Sequence, residues 1–256
     1  MIRWQVRNAK NILNNKGYRS TATGQMPSGV PEPNPYIDAS LVARKLNQIC
    51  PTEAISAYTQ DGYYKLQLDQ GKCIACQACI RQYPEIFQKR PVKPKYARTD
   101  LVSTVGGDRE AGVKVDSPSN IRRIVLPALK KSLHIKHIDA GSCNGCESEL
   151  SLLLTSECDM TASGIFFTSS PAHADVLLVT GVVTERMRPV LLDAWQRMPE
   201  PKFLVALGAC AISGGCFAAH SENIGLSNIL PVSLFIAGCP ASPTEILNSL
   251  RRLVEQ

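Results

Sequence analysis

Ten cysteines dominate the chemistry this chain can perform, and their spacing sorts them into groups. The segment GKCIACQACIRQYP sets Cys73, Cys76 and Cys79 at C-x2-C-x2-C, close enough for one tight loop to wrap three thiolates around one face of a metal group. Cys50, directly before Pro51, stands alone upstream. Toward the C-terminus come SCNGCESE with Cys143 and Cys146, LGACAISGGCF with Cys210 and Cys216, and AGCPASP with Cys239. A C-x2-C pair supplies two thiolates on one turn, and single cysteines after two further strands can complete a four-sulfur cage. Four cysteines can equally hold a tetrahedral zinc ion. Structural zinc sites usually offer two separated C-x2-C pairs, however, so a triplet with a distant Cys-Pro points to iron–sulfur chemistry.

The N-terminal pattern resembles bacterial ferredoxins, which use the run C-x2-C-x2-C-x3-C-P twice, the fourth cysteine of each run ligating the other cluster. Registered on the second run, the fourth position is Tyr83, followed by Pro84; the first run, registered on Cys50-Pro51, puts its leading positions at Ser40, Ala43 and Leu46. The losses are complementary. One cluster would need positions 40, 43, 46 and 83, all without thiols, and the other needs Cys50, Cys73, Cys76 and Cys79, all present. The resemblance implies a one-cluster descendant of a two-cluster ferredoxin, with Ser40 and Tyr83 as packing residues. AISAYTQDGYYKLQLDQ between the runs predicts a hairpin turning at Asp61-Gly62.

The three C-terminal motifs, in this order, resemble the small subunit of nickel–iron hydrogenases and its relative, the 20 kDa subunit of respiratory complex I. Carried over by position, the proximal-cluster ligands of that family fall on Cys143, Cys146, Cys210 and Cys239, so the two resemblances together imply two 4Fe-4S clusters. The complex I branch typically has two adjacent cysteines where Asn144 and Gly145 here separate Cys143 from Cys146, which is similar to the hydrogenase branch. The short form, without a long C-terminal extension, resembles the energy-converting hydrogenases of the formate hydrogenlyase and hydrogenase-4 types. Such a subunit relays electrons between a ferredoxin-like donor and an active site on a nickel–iron large subunit, alongside other iron–sulfur and membrane-arm subunits. The alternatives left open are the equivalent subunit of a complex-I-like quinone or sulfur oxidoreductase, and a free-standing electron carrier. Glu147 has two readings, proton transfer near the partner's metal site or ordinary capping of a helix start. Cys158 and Cys216 are expected to be buried packing thiols, and His173 and His220 are expected to be no ligands.

These motifs need elements to position them. From about residue 132, strand-length apolar runs (LHIKHIDA, GIFFTSS, DVLLVTGVV, KFLVALGA, VSLFIAG) alternate with helix-like segments (SELSLLLTS, ERMRPVLLDAWQRM, PTEILNSLRRLVEQ). That order predicts an α/β fold with a flavodoxin-like, mostly parallel sheet at the C-terminus, and a small α+β ferredoxin-like domain in front. The cysteines then sit in loops beyond the carboxyl ends of strands, where such sheets place their sites. The expected organisation is an N-terminal arm over 1–37, a ferredoxin-like domain over 38–98, a linker over 99–120 and the small-subunit-like domain over 121–256.

Composition bounds the rest. Residues 1–131 hold 21 Lys and Arg against 10 Asp and Glu, while residues 132–256 hold 7 against 12. A basic N-terminal half suits an acidic partner subunit or anionic headgroups. Nucleic acid is excluded as a partner, because no aromatic residues interleave with the basic ones in a stacking pattern. No apolar run reaches spanning length. The N-terminal MIRWQVRNAKNIL lacks the apolar core of a secretion signal, and Arg122-Arg123 lies mid-chain. The expectation is therefore a cytoplasmic protein, peripheral on the inner face of the cell membrane through its partners, with reduced thiols rather than a disulfide framework.

Overall fold

The computed structural model describes residues 30–33, 46, 48–60, 63–90, 93–105, 132–155, 158–220 and 225–253. The N-terminal part contributes β1 (Val30–Pro33), β2 (Ile55–Gln60), β3 (Tyr63–Asp69), the short helix α1 (Ala78–Gln82), β4 (Phe87–Arg90) and β5 (Val102–Val105). Strands β2 and β3 pair antiparallel with Gln60 opposite Tyr63, which forms the expected hairpin; Asp61 and Gly62 lie outside the described residues. The prolines of β1 sit on a two-stranded edge against β4, where a missing N–H costs little.

The segment expected to begin a linker at residue 99 departs from that reading. Arg98–Leu101 forms a 3-10 turn and Val102–Val105 pairs with β3, so this stretch is part of the small sheet. Two forces hold it there. The Arg98 guanidinium forms a two-pronged hydrogen bond to the Asp69 carboxylate, and Leu101 is buried in the core. Val102, Thr104 and Val105 are β-branched besides, as a strand prefers.

The C-terminal part supplies β6 (Leu133–Asp139), α2 (Gly145–Leu152), β7 (Ile165–Phe167), β8 (Val176–Thr180), α3 (Arg188–Arg197), β9 (Phe203–Leu207), α4 (Gly208–Ser213), β10 (Leu234–Ile236) and α5 (Pro243–Arg251). Its five strands run parallel in the order β10-β9-β8-β6-β7. This is the flavodoxin-like order, with the chain reversing its direction of travel between β6 and β8. VLLVT of β8 and FLVAL of β9 are buried along their whole length, as central parallel strands covered on both faces must be. Helix α5 begins with a reciprocal cap, the Ser242 hydroxyl accepting from the Glu245 amide at 3.3 Å and the Glu245 carboxylate accepting from the Ser242 amide at 3.1 Å. Among the described residues no helix is long and apolar enough to cross a membrane.

Alternate residues of the central strands feed two cores. Val176, Leu178, Val205 and Leu207 meet Leu150 of α2 and Ile246, Leu247 and Leu250 of α5 on one face. Leu177, Val179, Leu204 and Ala206 face the other way and share a core with Leu191 of α3 and with Leu46, Leu66, Leu68, Ile86 and Phe87 of the N-terminal part. The ferredoxin-like part thus covers one face of the large sheet. Leu46 and Tyr83, two of the positions without a thiol, pack in that same core; Ser40 and Ala43 lie outside the described residues.

Candidate metal centres

The first site is a small pocket, partly open to solvent, which Cys50, Cys73, Cys76 and Cys79 all line. Asp69 at the end of β3 starts its loop by accepting from the Gly71 amide at 2.9 Å. Ala75 and Gln77, the residues that sit between the cysteines, adopt left-handed backbone at φ 52° and 61°. Non-glycine residues avoid that region unless the surroundings impose it, and ligand clamps are where such strain collects. The left-handed turns curl the triplet into a bowl. Cys50 reaches it from a separate turn: the Thr52 hydroxyl donates to the Lys72 carbonyl at 2.8 Å and holds the two segments together. Amide hydrogens point at sulfur here, from Ala54 to Cys50 at 3.2 Å and from Ala75 to Cys73 at 3.4 Å. Such contacts favour a thiolate and tune a bound cluster's potential.

Burial pushes the Cys73 thiol up to about 12 and that of Cys79 to about 11, with the neighbouring thiols of the set adding to both shifts. Without metal these groups keep their protons at neutral pH, so loading the site releases protons.

The second site lies beyond the carboxyl ends of β6, β9 and β10. Asp139, the last residue of β6, accepts from the amides of Gly141 at 2.9 Å and Ser142 at 2.8 Å, which turns the chain sharply toward Cys143. Asn144 is left-handed at φ 67°, and α2 begins at once, placing Cys146 in its first turn. Cys210 sits in α4, which follows β9 without an intervening loop, and the Ala209 amide donates to the Gly238 carbonyl at 2.8 Å, tying that turn to the one bearing Cys239. Burial raises Cys146, Cys239 and Cys210, the last to about 12, and each is raised further by other thiols of the set.

Gly208 shows how closely the cradle is cut. Its φ is +87°, and a Cβ there would stand 2.7 Å from the Cys146 sulfur. Gly208→Ala should therefore combine backbone strain of about 1–3 kcal/mol with a direct clash at the sulfur. The expected outcome is a lower melting temperature and loss of iron from the second site, read by metal assay on the purified variant. Wild-type iron content would show that the cradle relaxes.

Among the described residues no three His, Cys, Asp or Glu groups converge as a single metal ion requires. Thiols bound to one zinc stand roughly 4 Å apart, given Zn–S bonds of about 2.3 Å. A cubane bonds each thiolate to a different corner and so takes its four sulfurs farther apart than zinc does.

Glu147 does not act as a cap. Both carboxylate oxygens are buried, and neither has a hydrogen-bond partner among the described residues. The nearest cation candidate is His137, whose Nε2 lies 3.9 Å from Glu147 and 2.9 Å from the Thr180 hydroxyl. Burial pulls His137 below its ordinary value and Glu147 offsets part of that shift. Nothing in the spacing of LHIKHID pointed to His137, because its partner comes from another element.

Cys158 is half-buried and packs against the core beneath α2 and α5. Cys216 is the exception, being exposed rather than buried. It follows the turn at Gly214 and Gly215, which bends the chain back over α4, and it stands close enough to Cys210 and Cys239 to raise both thiols. The signal was its place six residues after Cys210. His173 is exposed in a 3-10 turn, and the side chain of His220 lies outside the described residues.

Residues 143–253 match the protein family described as NADH ubiquinone oxidoreductase, 20 Kd subunit. The probable membrane-bound hydrogenase subunit mbhJ of Pyrococcus furiosus is 37% identical over 127 residues, which cover 49% of this chain and 76% of that protein. The chain belongs to this family. Formate hydrogenlyase subunit 7 of Escherichia coli is 39% identical over 153 residues, covering 57% of this chain and 60% of that protein. An NADH-quinone oxidoreductase subunit of a Geobacter species is 40% identical over 111 residues, covering 43% of this chain and 65% of that protein. The chain thus spans less than two thirds of the last two relatives. The family match contains all four cysteines of the second site and none of the first, which lies N-terminal to it.

Proposed function

We propose that this chain is the electron-transfer subunit of a membrane-associated nickel–iron hydrogenase complex and carries two 4Fe-4S clusters. The reading rests on eight cysteines that the two resemblances divide into two sets of four: Cys50, Cys73, Cys76 and Cys79 all line one pocket, and Cys143, Cys146, Cys210 and Cys239 all fall within the family match. When bound, each cluster supplies a one-electron store. Cys50, Cys73, Cys76 and Cys79 hold the first, and Cys143, Cys146, Cys210 and Cys239 hold the second. Cys76 and Cys143 are the exposed cysteines of the two sets, so each site would meet its partner there. The C-x2-C motifs of this chain, at Cys73, Cys76 and Cys79 and at Cys143 and Cys146, are all assigned to the two clusters, so hydrogen activation belongs to a large subunit docked over the carboxyl edge of the sheet. The names of two relatives, a formate hydrogenlyase subunit and a membrane-bound hydrogenase subunit, support this assignment. The complex lies on the cytoplasmic face of the membrane, held there by membrane-arm subunits.

The likeness to the NADH-quinone oxidoreductase relative favours a second reading, in which the large subunit has no nickel and the acceptor is a quinone or sulfur compound. The Cys-Asn-Gly-Cys spacing of Cys143 and Cys146 speaks for the hydrogenase branch.

Metal analysis of the anaerobically purified complex tests both. About eight iron and eight acid-labile sulfides per chain, without zinc, are expected from two cubanes, together with nickel in the co-purifying large subunit. About four iron with one zinc would sink the first site's assignment. A large subunit without nickel would move the chain to the second reading, and a chain that elutes alone from size exclusion would be a free carrier.

A further inference from the structure

The two sites are joined by a buried contact that neither the family match nor the ligand pattern assigns. The Ser213 hydroxyl, at the end of α4, donates to the Gly71 carbonyl at 2.8 Å across 142 positions of sequence, and the serine is enclosed by protein. Gly71 lies two residues before Cys73, and Ser213 three residues after Cys210. Ile212 packs on the same glycine so closely that a Cβ at Gly71 would stand 2.7 Å from its methyl group.

A serine in a helix ordinarily bonds back to the carbonyl four residues earlier. Ser213 has that option, with the Ala209 carbonyl at 3.1 Å, yet its shorter contact is to Gly71. The hydroxyl also accepts from the Gly215 amide at 3.3 Å, and Gly214 donates to the Cys210 carbonyl at 2.8 Å. From Cys73 to Cys210 there is therefore a path made of backbone, one hydrogen bond and backbone again. Electron tunnelling decays far more slowly along bonded paths than across gaps, and a desolvated hydrogen bond is a short link in such a path.

Resting on the two-cluster reading above, we propose that the Gly71–Ser213 contact is the junction through which an electron crosses between the two sites, with Ser213 as its positioning residue. The step is a single electron leaving the reduced first site and arriving at the oxidised second site. No atom or proton is transferred. The shared core of the two parts fixes their separation, and the hydroxyl supplies the coupling.

The test uses the full chain, purified anaerobically, with a flavin-type photoreductant and a sacrificial donor as the electron source. Freeze-quench electron paramagnetic resonance follows redistribution between the sites after a flash. Ser213→Ala is expected to keep its iron and the spin–spin interaction that reports the distance between the sites, while redistribution slows several-fold. Ser213→Thr and Ser213→Val are nearly isosteric with each other and differ in the hydroxyl, so they separate coupling from shape even if alanine loosens the fold. Threonine is expected to run near the wild-type rate and valine to be slow. Equal rates in the threonine and valine variants would overturn the junction and leave Ser213 a packing residue. A wild-type chain with iron for a single cluster would instead overturn the two-cluster reading on which the junction rests.

Discussion

Cys146→Ser is expected to strip the second site of its cluster and to prevent the large subunit from docking. Cys146 is held in the first turn of α2 and pressed against Gly208, and burial raises it well above its ordinary value. A serine there offers an alcohol whose proton is far harder to remove than a thiol's, in a pocket that already disfavours charge. Iron should fall from about eight to about four per chain, and the corresponding signal of the reduced protein should vanish. The edge of the sheet that carries these loops is also the proposed docking face, so assembly should fail with it. Normal hydrogen turnover in the variant would place the second site off the electron path.

Cys50→Ala tests the other set, and its effect should be confined to the N-terminal part. Cys50 stands on its own turn, apart from the triplet, and is joined to the triplet's loop through Thr52 and Lys72. Removing its sulfur leaves three thiolates, which can hold a three-iron form or nothing. The second site should keep its full signal, because its ligands come from a separate sheet edge. Alanine removes little apolar packing, so the fold itself should persist. An unchanged four-iron signal from the N-terminal part would mean that the fourth ligand is elsewhere. The remaining candidates would then be Cys158, partly buried against the core on the opposite face of the large sheet, and Cys216, beside Cys210.

A good deal of this was legible before folding was considered. The parallel sheet followed from apolar runs such as DVLLVTGVV and KFLVALGA alternating with helix-length segments, and the five strands lie where those runs predicted. The hairpin of β2 and β3 was equally plain, because its turn and its strands are neighbours in sequence. The grouping of Cys73, Cys76 and Cys79 could be read directly, since a three-residue spacing constrains the loop that carries it. Less legible was the stretch after residue 98, whose glycines and prolines suggested a connector. Arg98–Val105 is held by the Arg98–Asp69 pair and by pairing to β3, partners that lie about thirty positions away.

Local spacing by itself grouped Cys73 with Cys76 and Cys79, grouped Cys143 with Cys146, and predicted the strands of the sheet, because each is set by the geometry of a few consecutive residues; the wider ligand sets are what the two resemblances imply. Tertiary structure alone decided that the N-terminal part lies on one face of the large sheet and shares its core. It also decided that Cys216 borders the second site, that the Glu147 carboxylate is buried beside His137, and that Ser213 reaches Gly71. Each of these depends on side chains brought together from distant segments, where the free energy of excluding water from a shared apolar face selects the partner. No periodicity within either segment records that choice.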